Sequence, residues 1–405
     1  MMALPVSCPG SYAAVEPSKL YRVLVIHMTS EERHELRYQR RRKKRELRKA
    51  ERLKELNDFD RVFSYENLYA AYRECRKGCS WKASVQRFIT QAPLLINKIY
   101  NELHDGTYRS GAMTEFTIRE RGRERKILAS SMSDMIVQRC LTDNALIPAF
   151  YPGFIHDNSA SQPGKGTRFA IDRMCGHIRR HIRKYGKEGY ILLFDFSRFF
   201  DNLSHKVIRW ETGKRFKDRR LIGLTMHFVN LYGDVGMGVG SPISQVFALK
   251  VPDRLDHYIK EVLHIKGYGR YMDDGYLIHR SKSYLQKCLK AIEGICRVYG
   301  IKLNAKKTRI VKLSSGFRYL KNRIRITLSG KIIRMIDRAN VTRMRRKLKK
   351  MKKLLGRRRL KYKDVYECWQ SWRQYAKGFS SWRTVQRMSR LYNELFINPW
   401  LSRGR

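Results

Sequence analysis

The run Gly269-Arg270-Tyr271-Met272-Asp273-Asp274-Gly275-Tyr276-Leu277-Ile278 constrains the fold more than any other feature of this chain. Two adjacent carboxylates stand between two β-prone stretches, which places them on or beside a hairpin turn. Neighbouring acids repel each other and are costly to bury unless a cation binds them. The alternative is an ordinary exposed Asp-Asp turn. A second acid sharpens the first reading. In Tyr190-Ile191-Leu192-Leu193-Phe194-Asp195, an apolar strand ends in a charge that faces the end of a buried sheet. Alone, Asp195 would pass as a strand terminator or a helix cap.

Brought together, Asp195, Asp273 and Asp274 make a hard oxygen site suited to Mg²⁺. Two such ions, roughly 3.5–4 Å apart, activate a hydroxyl and stabilise a leaving pyrophosphate. Charge names the class of substrate. The 405 residues carry 86 Lys+Arg against 36 Asp+Glu, a net +50. A compact fold with that excess repels itself, and a polyanion relieves the repulsion, so nucleic acid is the expected partner. The rival is a ribosomal-type basic protein, which explains the charge but not the acids. A 42% hydrophobic fraction supports a real core.

Between the acids lies a glycine-rich stretch, with Gly233, Gly236, Gly238 and Gly240, followed by Ser241 as a helix N-cap and Pro242 at the first helical position. A second glycine-containing stretch, residues 158–168, lacks the spacing of a Walker loop. No apolar run approaches the roughly 18–20 residues that span a membrane, and no membrane partner is expected. The scattered cysteines suit a reducing cytosol, and the expected location is cytoplasmic. Residues 1–27 show no signal-peptide pattern. They also differ in character from the basic helix that follows Thr29-x-x-Glu32, a capping box, so Met28 is expected to be the natural start.

Taken in order, these pieces resemble the reverse transcriptases of bacteria and phages. Residues 194–202 (FDFSRFFDN) look like motif A, 239–245 (VGSPISQ) like motif B and 271–274 (YMDD) like motif C. Residues 303–308 (LNAKKT) look like motif D, and 317–323 (FRYLKNR) like the loop at the base of the thumb. Residues 122–128 (GRERKIL) and 134–139 (DMIVQR) resemble the fingers segment and the helix after it. The resemblance implies an RNA-directed DNA polymerase with two Mg²⁺ ions, Mn²⁺ being a possible substitute. Asp195, Asp273 and Asp274 would hold the metals with the Phe196 carbonyl. Phe200 would be the steric gate against ribonucleotides, its alternative being core packing. Arg123 and Arg125 would grip the incoming dNTP, Gln245 would lie near the nascent base pair, and Lys307 would donate a proton to pyrophosphate.

The motif B string Val239-Gly240-Ser241-Pro242-Ile243-Ser244-Gln245 is similar to that of the diversity-generating retroelements rather than the group II intron enzymes. A stand-alone phage-defence enzyme is the alternative, and a non-catalytic RNA-binding protein with a polymerase fold is the alternative of another class. The expected fold is α+β, a right hand with an antiparallel palm sheet. Its parts would be a basic N-terminal extension at 1–57 (helical over 28–56), fingers and palm at 58–324, and a helical basic thumb at 325–405. In the thumb, Arg343, Arg345, Arg346, Lys349, Lys350 and Lys353 would hold the RNA template–primer duplex by phosphate contacts. A structured non-coding RNA or an accessory protein would be a further partner. Helical pattern is expected from 331 onward, with aromatics that either stack on bases or form a core.

Overall fold

The computed structural model describes residues 29–120 and 123–397. The expected Met28 start falls outside them. The capping box is formed: the Thr29 hydroxyl accepts from Glu32 N–H at 3.2 Å, and Glu32 accepts from Thr29 N–H at 2.7 Å. The helix it opens, Ser30–Leu56, buries only Leu56 among its described side chains. It is therefore a solvated charged helix.

Strands β1 (Thr114–Glu120) and β2 (Arg123–Ala129) form an antiparallel pair that joins no other strand among the described residues. Their ladder runs from Thr114 opposite Ala129 to Glu120 opposite Arg123. The central sheet has four antiparallel strands in the order β4-β5-β3-β6. These are β3 (Tyr190–Asp195), β4 (Tyr268–Tyr271), β5 (Asp274–His279) and β6 (Arg309–Lys312). Both its faces are covered, which is why β3 reads as a continuous apolar run. Leu192, Phe194 and Leu277 pack on helix Lys282–Val298 through Leu285, Cys288 and Ile292. Ile191, Leu193, Tyr276 and Ile278 pack on helix Thr167–Tyr185 through Ile171, Met174 and Ile178. The architecture is thus α+β with an antiparallel central sheet, as the sequence implies.

A three-stranded sheet follows, made of β7 (Phe317–Tyr319), β8 (Asn322–Ile326) and β9 (Ile332–Ile336). The helical reading from 331 is corrected here. Ile332-Ile333-Arg334-Met335-Ile336 pairs along β8, and Asp337 caps the helix that starts at Arg338. β-Branched residues in that run favour the pleated conformation. Helices Arg338–Gly356, Tyr362–Lys377 and Trp382–Phe396 then share a separate core. Trp369 stacks on Trp372 at 5.5 Å and on Tyr392 at 4.9 Å, so these two tryptophans are core residues. Trp382, Tyr362, Tyr366 and Tyr375 remain exposed. No helix among the described residues is long and apolar enough to cross a membrane.

Candidate active site

Asp195 closes β3 and Asp274 opens β5, and the two stand directly opposite each other in the ladder. Tyr271 pairs with Asp274, so Met272 and Asp273 form a two-residue hairpin turn. Two-residue hairpin loops demand positive φ, usually supplied by glycine. Met272 takes φ 53° with a full side chain, a conformation that costs about 1–3 kcal/mol and persists only where its surroundings impose it. Phe196 N–H donates to the Asp273 carbonyl at 3.1 Å, tying the turn to the end of β3. Sheet pairing and turn geometry thus bring the three acids to one edge.

A buried ion pair holds the turn from beneath. Arg270 and Asp256 are both fully buried. The Arg270 guanidinium donates to both Asp256 oxygens, at 2.8 and 2.6 Å, and through Nη1 to the Met272 carbonyl at 2.8 Å. Tyr268 donates its hydroxyl to the same carboxylate. Sequence reasoning missed Arg270, Asp256 and Asn304. The available signal was period-two spacing: Tyr268 and Arg270 fall on one face of β4, so an arginine stands where a core residue is expected.

Gly275 packs against the Phe194 ring. A Cβ there would come within 2.1 Å of a ring carbon, so no larger residue fits beside the acids.

The segment between helix Lys282–Val298 and β6 lies against Asp195. Its carboxylate accepts from Lys307 Nζ at 2.7 Å and from Asn304 Nδ2 at 3.2 Å. Asn304 N–H also donates to the Asp195 carbonyl at 2.8 Å. Burial, followed by the charges of Asp273 and Asp195, pushes the Asp274 carboxyl up to about 7. Burial likewise raises Asp273, with Asp195 adding to it. Among the described residues no three His, Cys, Asp or Glu side chains converge as a formed metal cage. Asp195 is instead engaged by Lys307, a monovalent cation. Hard oxygens whose ionised forms are penalised by one another fit a divalent cation, which would remove that penalty.

The glycine-rich loop docks beside this edge. Met237 N–H donates to the Phe200 carbonyl and Gly236 N–H to the Leu203 carbonyl, each at 2.9 Å. Gly236 has φ 89°, and a Cβ there would lie 2.7 Å from the Asp201 carbonyl oxygen. Ser241 accepts from Ser244 N–H, capping helix Pro242–Lys250, and donates to Gln138 at 2.7 Å. Phe200 is half-buried, and Gln245 is exposed on the first turn of that helix. Arg123 and Arg125 belong to β2, but their side chains lie outside the described residues. Arg343, Arg345, Arg346, Lys349, Lys350 and Lys353 are exposed along helix Arg338–Gly356, opposite the buried Met344, Leu348 and Met351.

Residues 119–324, half of the chain, match the family Reverse transcriptase (RNA-dependent DNA polymerase). The chain belongs to this family. Its members are nucleotidyltransferases, and the matched span holds all three acids. Among solved structures, the chain is similar to telomerase from Candida albicans in complex with a fragment of telomeric RNA, at 12% identity and TM-score 0.43, over 55% of this chain and 45% of that one. It is also similar to apo telomerase from Candida tropicalis truncated from its C-terminal domain, at 16% identity and TM-score 0.43, over 55% of each chain. A further apo telomerase from Candida tropicalis is similar at 13% identity and TM-score 0.45, over 60% of this chain and 53% of that one. The chain spans about half the length of these telomerases. No curated protein matches it.

Proposed function

We propose that the chain copies an RNA template into DNA at the Asp195–Asp274 edge of the central sheet. The cross-strand pairing of Asp195 with Asp274, with Asp273 in the adjoining turn, carries this reading within a reverse transcriptase family chain. Asp195, Asp273, Asp274 and the Phe196 carbonyl would hold Mg²⁺ as a pair of ions, with Mn²⁺ as a substitute. Bound there, the ions would lower the pKa of a primer 3′-hydroxyl and neutralise the departing pyrophosphate. Lys307, already at Asp195, would be released on metal binding and so be placed to hand a proton to the leaving group. Phe200 would exclude a ribose 2′-hydroxyl. Gln245, at the exposed start of its helix, would face the nascent pair, and Arg123 and Arg125 would hold the triphosphate.

Residues 58–324 would act as fingers and palm. The exposed cations of helix Arg338–Gly356 would grip the template–primer duplex as a thumb, with steep salt dependence. The motif B string ending in Gln245 supports membership of a diversity-generating retroelement, encoded by a bacterium or phage and acting in the cytoplasm. A phage-defence enzyme is the alternative role for the same chemistry.

The test is primer extension on a defined RNA with dNTPs or rNTPs, followed by sequencing of the products. DNA synthesis with errors concentrated opposite template adenine supports the retroelement reading. Faithful or repetitive DNA favours the defence role. Preferential rNTP incorporation that is insensitive to Phe200→Ala contradicts DNA synthesis.

A further inference from the structure

The end of the central sheet opposite the acids carries a second charged feature. A cavity of about 650 Å³ opens between the end of helix Thr167–Tyr185, the segment leading into β4, and the end of β5. Its floor includes Ile265 and Ile278, and its rim carries Arg180, Arg183, Lys184 and Lys266. No carboxylate among the described residues lines it. None of these four cations forms an ion pair among the described residues. Earlier on the same helix, by contrast, Arg173 pairs with Asp157 at 2.6 Å and Arg168 with Asp172 at 3.7 Å. The helix terminus favours Arg183 and Lys184 through its dipole, but Lys266 comes from a separate element. Arg280, after β5, adds its guanidinium 5.6 Å from the Tyr185 ring at the same corner.

We infer that this cavity binds the phosphodiester backbone of single-stranded RNA outside the template–primer duplex. Convergent cations without counter-charges, set around an apolar floor, suit phosphates on the rim with a base or sugar against the floor. The size is that of an ordinary ligand site. Position argues against the reacting duplex as occupant. β3 runs from Tyr190 to Asp195, so the cavity lies about 17 Å along the strand from the acids. The choice of RNA rests on the proposed template.

The test measures binding of two probes by fluorescence anisotropy across a salt series. One is a blunt RNA–DNA hybrid, and the other is the same hybrid with a 5′ single-stranded RNA extension of about 30 nucleotides. The variant is Arg180→Gln/Arg183→Gln/Lys184→Gln/Lys266→Gln. Arg183→Gln/Lys184→Gln, on the exposed last helical turn, serves if the first does not fold. For the extended probe, the expected result is at least a tenfold loss of affinity. The log–log salt slope should also become shallower by about 0.7 per lost contact. Affinity for the blunt hybrid should stay unchanged. Equal losses on both probes would overturn the proposal in favour of a general charge effect. Unchanged affinity on both would overturn it in favour of a cavity that does not bind RNA. A wild type that binds the extended probe through these residues but makes no DNA would separate this site from the polymerase reading.

Discussion

The β4–β5 hairpin and the β1–β2 hairpin are both antiparallel ribbons carrying charged residues proposed to act in synthesis, but they are supported in opposite ways. β4 and β5 sit in the central sheet. Their strained turn is held by the fully buried Arg270–Asp256 pair, by Phe196 N–H and by the Phe194 ring against Gly275. Among the described residues β1 and β2 pair only with each other. Phe116 and Ile118 are exposed, and the pairs Lys126–Glu115 at 2.9 Å and Arg119–Glu124 at 2.6 Å lie in solvent. A two-stranded ribbon of that kind is marginal by itself. The acids proposed to hold the metals stand on a turn anchored to the core, whereas the arginines proposed to meet a triphosphate ride on a ribbon with little support of its own. Preorganisation is concentrated where charge develops.

The largest expected effect that sharpens this contrast is on stability. Arg270→Met leaves Asp256 as an unpaired buried charge and should cost about 3–5 kcal/mol. Thermal unfolding would read this as a large fall in Tm. The double variant Arg270→Met/Asp256→Leu should recover much of the loss, and DNA synthesis by whatever stays folded should remain low because Met272 loses its anchor. A small effect of Arg270→Met would break the comparison.

Next comes the coupling of pH and metal. Asp274 rises from 3.8 to about 7 on folding. Its proton therefore stabilises the fold fully below about pH 4, and that contribution is lost as pH rises through about 7. Mg²⁺ should restore what is lost, so the Tm gain on adding Mg²⁺ should be larger at pH 8 than at pH 5.5. Asp274→Asn should reduce that difference, with Asp273, also raised, supplying the remainder.

On the other hairpin, Arg123→Ala/Arg125→Ala should raise KM for dNTP by about 10-fold or more, as expected for losing charged hydrogen bonds, with Tm unchanged. The smallest effect is expected at Arg119→Met, which breaks only an exposed pair and should alter stability by less than about 1 kcal/mol. A large Tm drop there would show that the β1–β2 ribbon is better supported than its exposure implies.

The sequence made the acid edge legible because each part has a local signature. An apolar run ended in Asp195, paired acids stood between β-prone stretches, and Ser241-Pro242 opened a helix. Thr29 with Glu32 worked for the same reason, since capping is settled within one turn. What stayed hidden depends on contacts between distant residues. Arg270 and Asp256 are unremarkable in sequence until β4 packs beside the helical segment that carries Asp256. Asn304 shows its contact only when the segment leading into β6 folds against Asp195. The strand Ile332–Ile336 was masked by the basic helical composition beyond it, and only pairing with β8 decided its conformation. For Trp369 and Trp372, periodicity suited both a core and a stacking surface, and burial against Tyr392 chose the core.

The central claim is that Asp195, Asp273 and Asp274 carry template-directed DNA synthesis. Its most direct test is primer extension on a defined RNA template with dNTPs and Mg²⁺, run side by side on the wild type and on Asp273→Ala/Asp274→Ala, with matched thermal melts. The account predicts DNA product from the wild type. It predicts a loss of at least about three orders of magnitude in the variant, since several kcal/mol of transition-state stabilisation disappear, with Tm equal or higher because the half-buried carboxylates no longer repel. Synthesis that persists in a folded double variant would contradict it.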